Sequence, residues 1–198
     1  HRRLVLPQLG APGVSAHEVQ TRTGFRVEYG PVRASDLPSY LDTGTATPVM
    51  RRVAFPLRDR AVLIPVGLRN NLLPLLAAAV LLLVLGGTVP VLIAIAAILA
   101  GAALFPLLLP YLPTADFTSK GLVLGIAIAM PFSAYYLTGA GDVLLRTAYA
   151  AGVVLMMAPV VGYLALNFTG CSTTASRTGV RREMFRYLPV LVGLVVTG

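Results

Sequence analysis

The sequence predicts a small α/β domain with an open, mostly parallel sheet over residues 1–69, joined to an all-helical membrane domain over 70–198. Three observations predict this. Strand-like and helix-like pieces alternate up to Arg69, separated by Gly- and Pro-rich turns. The runs 72–85 and 89–112 carry no charge at all, and a hydrocarbon core of ~30 Å takes about 20 apolar residues per helix. Mean hydropathy is +0.78 with 12% charged residues, about half the usual globular share.

Taken in order, Leu4-Val5-Leu6-Pro7 is a short apolar run closed by a turn residue. Gln8-Leu9-Gly10-Ala11-Pro12-Gly13 reads as a loop. Residues 14–23 fit a helix, with Val14 and Val19 on one side and Gly24 as its stop. Arg26-Val27-Glu28-Tyr29 alternates as a strand does, and Gly30-Pro31 ends it. Ser35 caps a short helix over 36–41. Phe55-Pro56-Leu57 and the run 61–66 are further short apolar pieces. In open α/β sheets ligands sit at the loops after strand carboxyl ends, which here are 10–13 and 30–34.

The membrane part reads as five spans, roughly 71–86, 88–112, 120–138, 143–167 and 185–198, with a tight Gly86-Gly87-Thr88 connection between the first two. Arg51, Arg52, Arg58, Arg60 and Arg69 precede the first span; Arg177, Arg181, Arg182 and Arg186 lie between the fourth and fifth. Four spans separate the clusters, so both fall on one side, and excess arginine beside spans marks the cytoplasm. The expected location is the cytoplasmic membrane, multi-pass, with the soluble domain in the cytoplasm.

Net charge is +8, with ten Arg and five acids in residues 1–69 and six basic residues against three acids beyond. No basic stripe interleaves with aromatics, which argues against nucleic acid. Both ends read as cut: the first apolar run follows directly on His1-Arg2-Arg3, and the last stops short of a span. The chain therefore reads as a fragment of a larger protein, with no signal-peptide pattern.

Residues that bear on chemistry are few. The Gly10-Ala11-Pro12-Gly13 loop is small enough for backbone to approach a ligand; the plain alternative is a tight strand-to-helix turn. Gly30-Pro31-Val32-Arg33-Ala34 carries the same two readings, and Arg33 suits a phosphate or carboxylate. His17 has no second His or Cys at metal spacing. Cys171, the only cysteine, excludes an internal disulfide framework and reads as a packing residue or a soft-metal contact. Asp116, Lys120, Asp142 and Arg146 fall near span ends, so no ionisable residue lies deep in a span, which counts against a transporter. Tyr135, Tyr136 and Tyr163 fit an interfacial belt. No catalytic or metal-ligating residue is assigned.

The stretches LPQLGAPGVSAHEV (6–19), RVEYGPVRASDLPSYL (26–41) and ATPVMRRVAFPLRDRAVLIPV (46–66) resemble the corrinoid-binding domain of the corrinoid iron–sulfur protein type. NFTGCSTTASRTGVRREM (167–184) is similar to the loop before the last span in the corrinoid proteins of microbial mercury methylation, the HgcA type. That family fuses such a domain to about five spans. The family pattern carries an acidic residue where this chain has Gly67.

The resemblance implies a Rossmann-like corrinoid-binding domain, here its carboxyl-terminal part. It implies a cobalamin-type corrinoid cofactor and transfer of a methyl group from cobalt to inorganic Hg(II). The cysteine that ligates cobalt in the family lies in a cap helix upstream of His1. Gln8, Gly10, Ala11, Pro12, Gly13, Gly30, Pro31, Val32, Arg33 and Ala34 would line the cofactor. Implied partners are a ferredoxin-like, HgcB-like iron–sulfur electron donor, a methyl-donor methyltransferase, Hg(II) as substrate and the lipid bilayer. Two other readings stand beside it: a membrane-anchored corrinoid methyl carrier of one-carbon metabolism, and a non-enzymatic membrane scaffold or transporter.

Overall fold

A computed structural model describes residues 2–169 and 177–198, and Cys171 lies outside them. The chain divides into two compact units, His1–Ala54 and Phe55–Gly198.

In the first unit, β1 (Arg3–Pro7) and β2 (Arg26–Gly30) pair in parallel, with Leu4 opposite Val27 and Pro7 opposite Gly30. Parallel strands need a crossover, supplied by α1 (Ala16–Thr23). Its start follows from Ser15, whose hydroxyl accepts the Glu18 N–H in the Ser-x-x-Glu spacing of a capping box. Its end follows from Gly24, which adopts a left-handed φ of 74°. The Tyr29 hydroxyl donates to the Val14 carbonyl and so fixes the entry to α1 on β2. A second short helix, α2 (Leu37–Thr43), ends at Gly44 and buries Tyr40. Glu28 pairs with Arg3 at 3.0 Å and lies 3.9 Å from Arg26, so one acid balances two bases across the ladder.

The expected Rossmann-like α/β sheet does not form. Among the described residues the sheet has two strands. The apolar pieces at 55–57 and 61–66, which would have supplied more strands, become α3 (Leu57–Ala61) and the start of α4 (Ile64–Gly86). A short apolar run does not by itself distinguish strand from helix. Here the prolines decide it: Pro56 stands at the N-cap of α3 and Pro65 in the first turn of α4, where a fixed φ and a missing N–H cost nothing.

The second unit is helical. After α4 come α5 (Thr88–Leu99), a wide-turn segment Ala100–Leu104, α6 (Phe105–Leu108), α7 (Phe117–Thr138), α8 (Val143–Thr169) and α9 (Arg177–Thr197). Among the described residues, four helical stretches are long and apolar enough to cross a membrane: Leu57–Gly86, Thr88–Leu108, Phe117–Thr138 and Val143–Phe168. The expected fifth is not among them, because the amino-terminal half of α9 carries Arg177, Arg181, Arg182, Glu183 and Arg186.

Helices α7 and α8 pack backbone to backbone. A Cβ on Gly121 would lie 2.5 Å from Ala165 Cβ, and one on Gly125 2.7 Å from Ala158 Cα. Gly121-x-x-x-Gly125 thus forms one face of a small-residue seam against Ala158, Gly162 and Ala165, the means by which helices associate where lipid removes the hydrophobic drive. Phe105, Ala129, Met157 and Val161 fill the core around it. The buried Ser133 hydroxyl donates to the Ala150 carbonyl across the same pair at 2.9 Å.

The wide turn lies just before Pro106, which has no N–H to give to the helix; the Phe105 N–H reaches the Ala100 carbonyl instead. Gly67 of α4 approaches this segment closely: a Cβ there would stand 3.4 Å from the Ala102 carbonyl. A longer side chain at position 67 would part the two helices.

Candidate functional site

The register of the sheet sets the geometry of the two loops singled out by sequence. Because Pro7 faces Gly30 across the parallel ladder, the chain leaves both carboxyl ends side by side. Gln8–Gly10 is a single 3-10 turn closed by the Ala11 N–H on the Gln8 carbonyl at 3.2 Å. The Gly10 carbonyl then accepts from the Gly13 and Val14 N–H groups at 3.0 and 3.1 Å. Ala11, Pro12 and Gly13 are exposed.

The two loops differ in what surrounds their glycines. A Cβ on Gly10 would meet nothing within 4 Å, and one on Gly13 only the Gly10 carbonyl at 3.7 Å. Neither has a positive φ, so their smallness answers to no strain in the chain itself. Gly30 is buried against its own protein: a Cβ there would stand 2.8 Å from Val5 Cγ1 and 3.4 Å from Tyr40 Cε1. Pro31 is buried beside it.

Val32 donates its N–H to the Met50 carbonyl at 2.9 Å, and Arg33 Nη2 donates to the Ala54 carbonyl at 3.1 Å. Arg33 thus braces the 45–54 segment. Ala34 opens the 3-10 turn that leads into α2. Of the ten residues, Ala11, Pro12 and Gly13 are exposed, Gln8 and Gly10 are half-buried, and Gly30, Pro31, Val32 and Arg33 are engaged by the chain.

One polar atom in the first loop is out of balance. Gln8 Oε1 is shielded from water and has no donor among the described residues. Buried acceptors are nearly always satisfied. A corrin ring is rimmed by amide groups whose N–H donors would satisfy it, and no neighbouring atom lies within 4 Å of a Cβ placed on Gly10. These residues fit that group; Gly30 does not contribute a free surface to it.

Elsewhere the described residues hold no cluster of His, Cys, Asp or Glu suited to a metal. His17 is exposed on α1, and its carbonyl accepts the Thr21 hydroxyl at 2.9 Å.

One end of the second unit gathers a set of paired polar groups. Thr118 N–H and Oγ1 both donate to Glu183 Oε1, at 2.5 and 2.8 Å. The Tyr187 hydroxyl donates to Asp116 Oδ2 at 2.8 Å, with Arg186 3.9 Å from the same oxygen. Lys120 Nζ caps the Leu109 carbonyl at 3.0 Å, and Arg60 Nη1 the Leu107 carbonyl at 3.1 Å. Phe168 packs on Phe55, Phe105 and Phe117 at the same end. Arg60, on α3, and Arg186, on α9, therefore meet the same 106–118 stretch.

Sequence reasoning did not single out Glu183, Thr118 or Tyr149. The signal available for the first pair was a helix start at Asp116-Phe117-Thr118 with no Glu or Gln three residues on to complete a cap. A comparison with known protein families, curated proteins and solved structures finds no match for this chain.

Proposed function

We propose that this chain belongs to a membrane-anchored, corrinoid-dependent methyltransferase whose methyl acceptor is inorganic Hg(II). The observation that carries the reading is the 8–13 loop. It leaves the carboxyl end of a parallel strand, holds open space over Gly10 and Gly13, and presents the unpartnered Gln8 Oε1. It lies within one of the stretches on which the resemblance rests.

Within that reading the residues divide their work. Gln8 accepts from an amide of the cofactor. Gly10, Ala11, Pro12 and Gly13 keep side chains out of its way, so backbone comes close. Arg33, Val32 and Gly30 hold the neighbouring loop rigid by engaging the chain itself. A bound corrinoid supplies the transferable methyl group; the protein supplies orientation and access. A ferredoxin-like iron–sulfur protein is the proposed reductant and a separate methyltransferase the proposed methyl source.

The proposed location is the cytoplasmic membrane with the soluble unit in the cytoplasm. The support is the arginine excess flanking the first span and at the head of α9.

The test is methyl transfer. The protein, with any sequence encoded upstream of His1, is purified in detergent, loaded with methylcobalamin and supplied with Hg(II) and a reductant. Methylmercury is expected, and Gly13→Val should reduce it at least ten-fold. A loaded protein that gives none, yet passes its methyl to a one-carbon acceptor protein, overturns the choice of Hg(II).

A further inference from the structure

The far end of the α7–α8 hairpin holds a half-open cavity of about 470 Å³. Its walls are Tyr135, Tyr136, Tyr149 and Leu145, and its mouth is the Gly139-Ala140-Gly141 turn. Tyr136 stacks on Tyr149 with ring centres 5.5 Å apart and meets the edge of Tyr135 at 5.5 Å. Gly141 has φ +123° and leaves the mouth without a side chain.

Two charged groups line the cavity, Arg146 and Asp142. Asp142 Oδ1 accepts the Leu144 N–H at 3.3 Å and so caps α8. Arg146 Nε is shielded from water with no acceptor among the described residues. Nor does its guanidinium form an ion pair among them, with Asp142 or any other acid. A partly shielded cation without a counter-charge is costly, and a guanidinium answers best to a planar or tetrahedral oxyanion gripped by its fork.

We infer that this cavity binds the phosphodiester of an anionic membrane lipid, with Arg146 as its cation and the tyrosines packed around the glycerol. Three features select this ligand. The cavity sits at the end of two membrane-length helices, where lipid phosphates lie and where tyrosines concentrate. Its volume exceeds that of a small carboxylate. Asp142 shares it, which favours a singly charged phosphodiester over dianionic inorganic phosphate.

The chain has no Trp, so its ultraviolet emission comes from its eight tyrosines, three of which line the cavity. The purified protein in neutral detergent is titrated with dihexanoyl phosphatidylglycerol and, separately, with inorganic phosphate; native mass spectrometry counts retained lipid. Saturable binding of the lipid is expected, weakened at least ten-fold in Arg146→Gln and partly retained in Arg146→Lys. Asp142→Asn removes a like charge and should tighten binding several-fold, a gain that misfolding does not mimic. Equal response to inorganic phosphate overturns the lipid assignment. Unchanged binding in Arg146→Gln, or weaker binding in Asp142→Asn, overturns the site.

Discussion

Glu183 of α9 caps the amino terminus of α7: its Oε1 accepts both the backbone N–H and the hydroxyl of Thr118. Thr118 is fully buried, so nothing else can satisfy these donors, and the carboxylate also meets the positive end of the helix dipole. Through this contact the polar head of α9 is tied to the third membrane-length helix.

Removing that carboxylate should be felt. Glu183→Ala leaves two buried donors unpaired and is expected to cost about 1–3 kcal/mol. Glu183→Gln keeps one acceptor and should cost less. Thermal midpoints in detergent check both, and an unchanged midpoint in Glu183→Ala would show that the contact contributes nothing.

The α7–α8 seam gives a sharper test. Gly121→Val forces a side chain where a Cβ already meets Ala165, Gly162 and Val161 at 2.5–2.8 Å. The helices must part, at a cost of about 1–3 kcal/mol or more. Gly193→Ala, with nothing within 4 Å of its Cβ, is the control and should leave the midpoint within about 0.5 kcal/mol.

The glycines of the two loops should behave oppositely. Gly30→Ala collides with Val5 and Tyr40 and should destabilise the first unit by about 1–3 kcal/mol. Gly13→Val meets no such obstacle and should leave the melting of the cofactor-free protein unchanged. Chemical denaturation followed by circular dichroism separates the two.

Topology is open to labelling. In a Cys171→Ser background, cysteines placed at Ser39 and Met184 should react with an impermeant maleimide from the same, cytoplasmic, side. Reaction from opposite faces would contradict the positive-inside argument.

The stop at Gly24 was legible because it acts within a turn of the chain. The cap at Ser15 and the stop at Gly44 are equally local but were not singled out, and the expected cap at Ser35 is not made: Ser35 lies inside the 34–36 turn before α2. The missing third strand was not legible from hydropathy, since 61–66 is as apolar as a buried strand; the prolines at 56 and 65 carried the information. The Gly121-x-x-x-Gly125 seam stood in the sequence but says nothing until its partners, Ala158, Gly162 and Ala165, are known to face it. Of the candidate site, residues 8–13 could be found as a loop after a strand. That Gly30 packs inward while Gly13 faces open space depends on Val5 and Tyr40, which sequence spacing does not connect.

The 8–13 loop is proposed to receive a corrinoid. The most direct measurement is corrinoid bound per mole of protein, read from visible absorbance after purification of the wild type and Gly13→Val, each with any sequence encoded upstream of His1. Near-stoichiometric corrinoid is expected in the wild type, with at least a ten-fold loss in Gly13→Val at unchanged thermal stability of the cofactor-free protein. Full occupancy in Gly13→Val, or no corrinoid in a folded wild type, would contradict it.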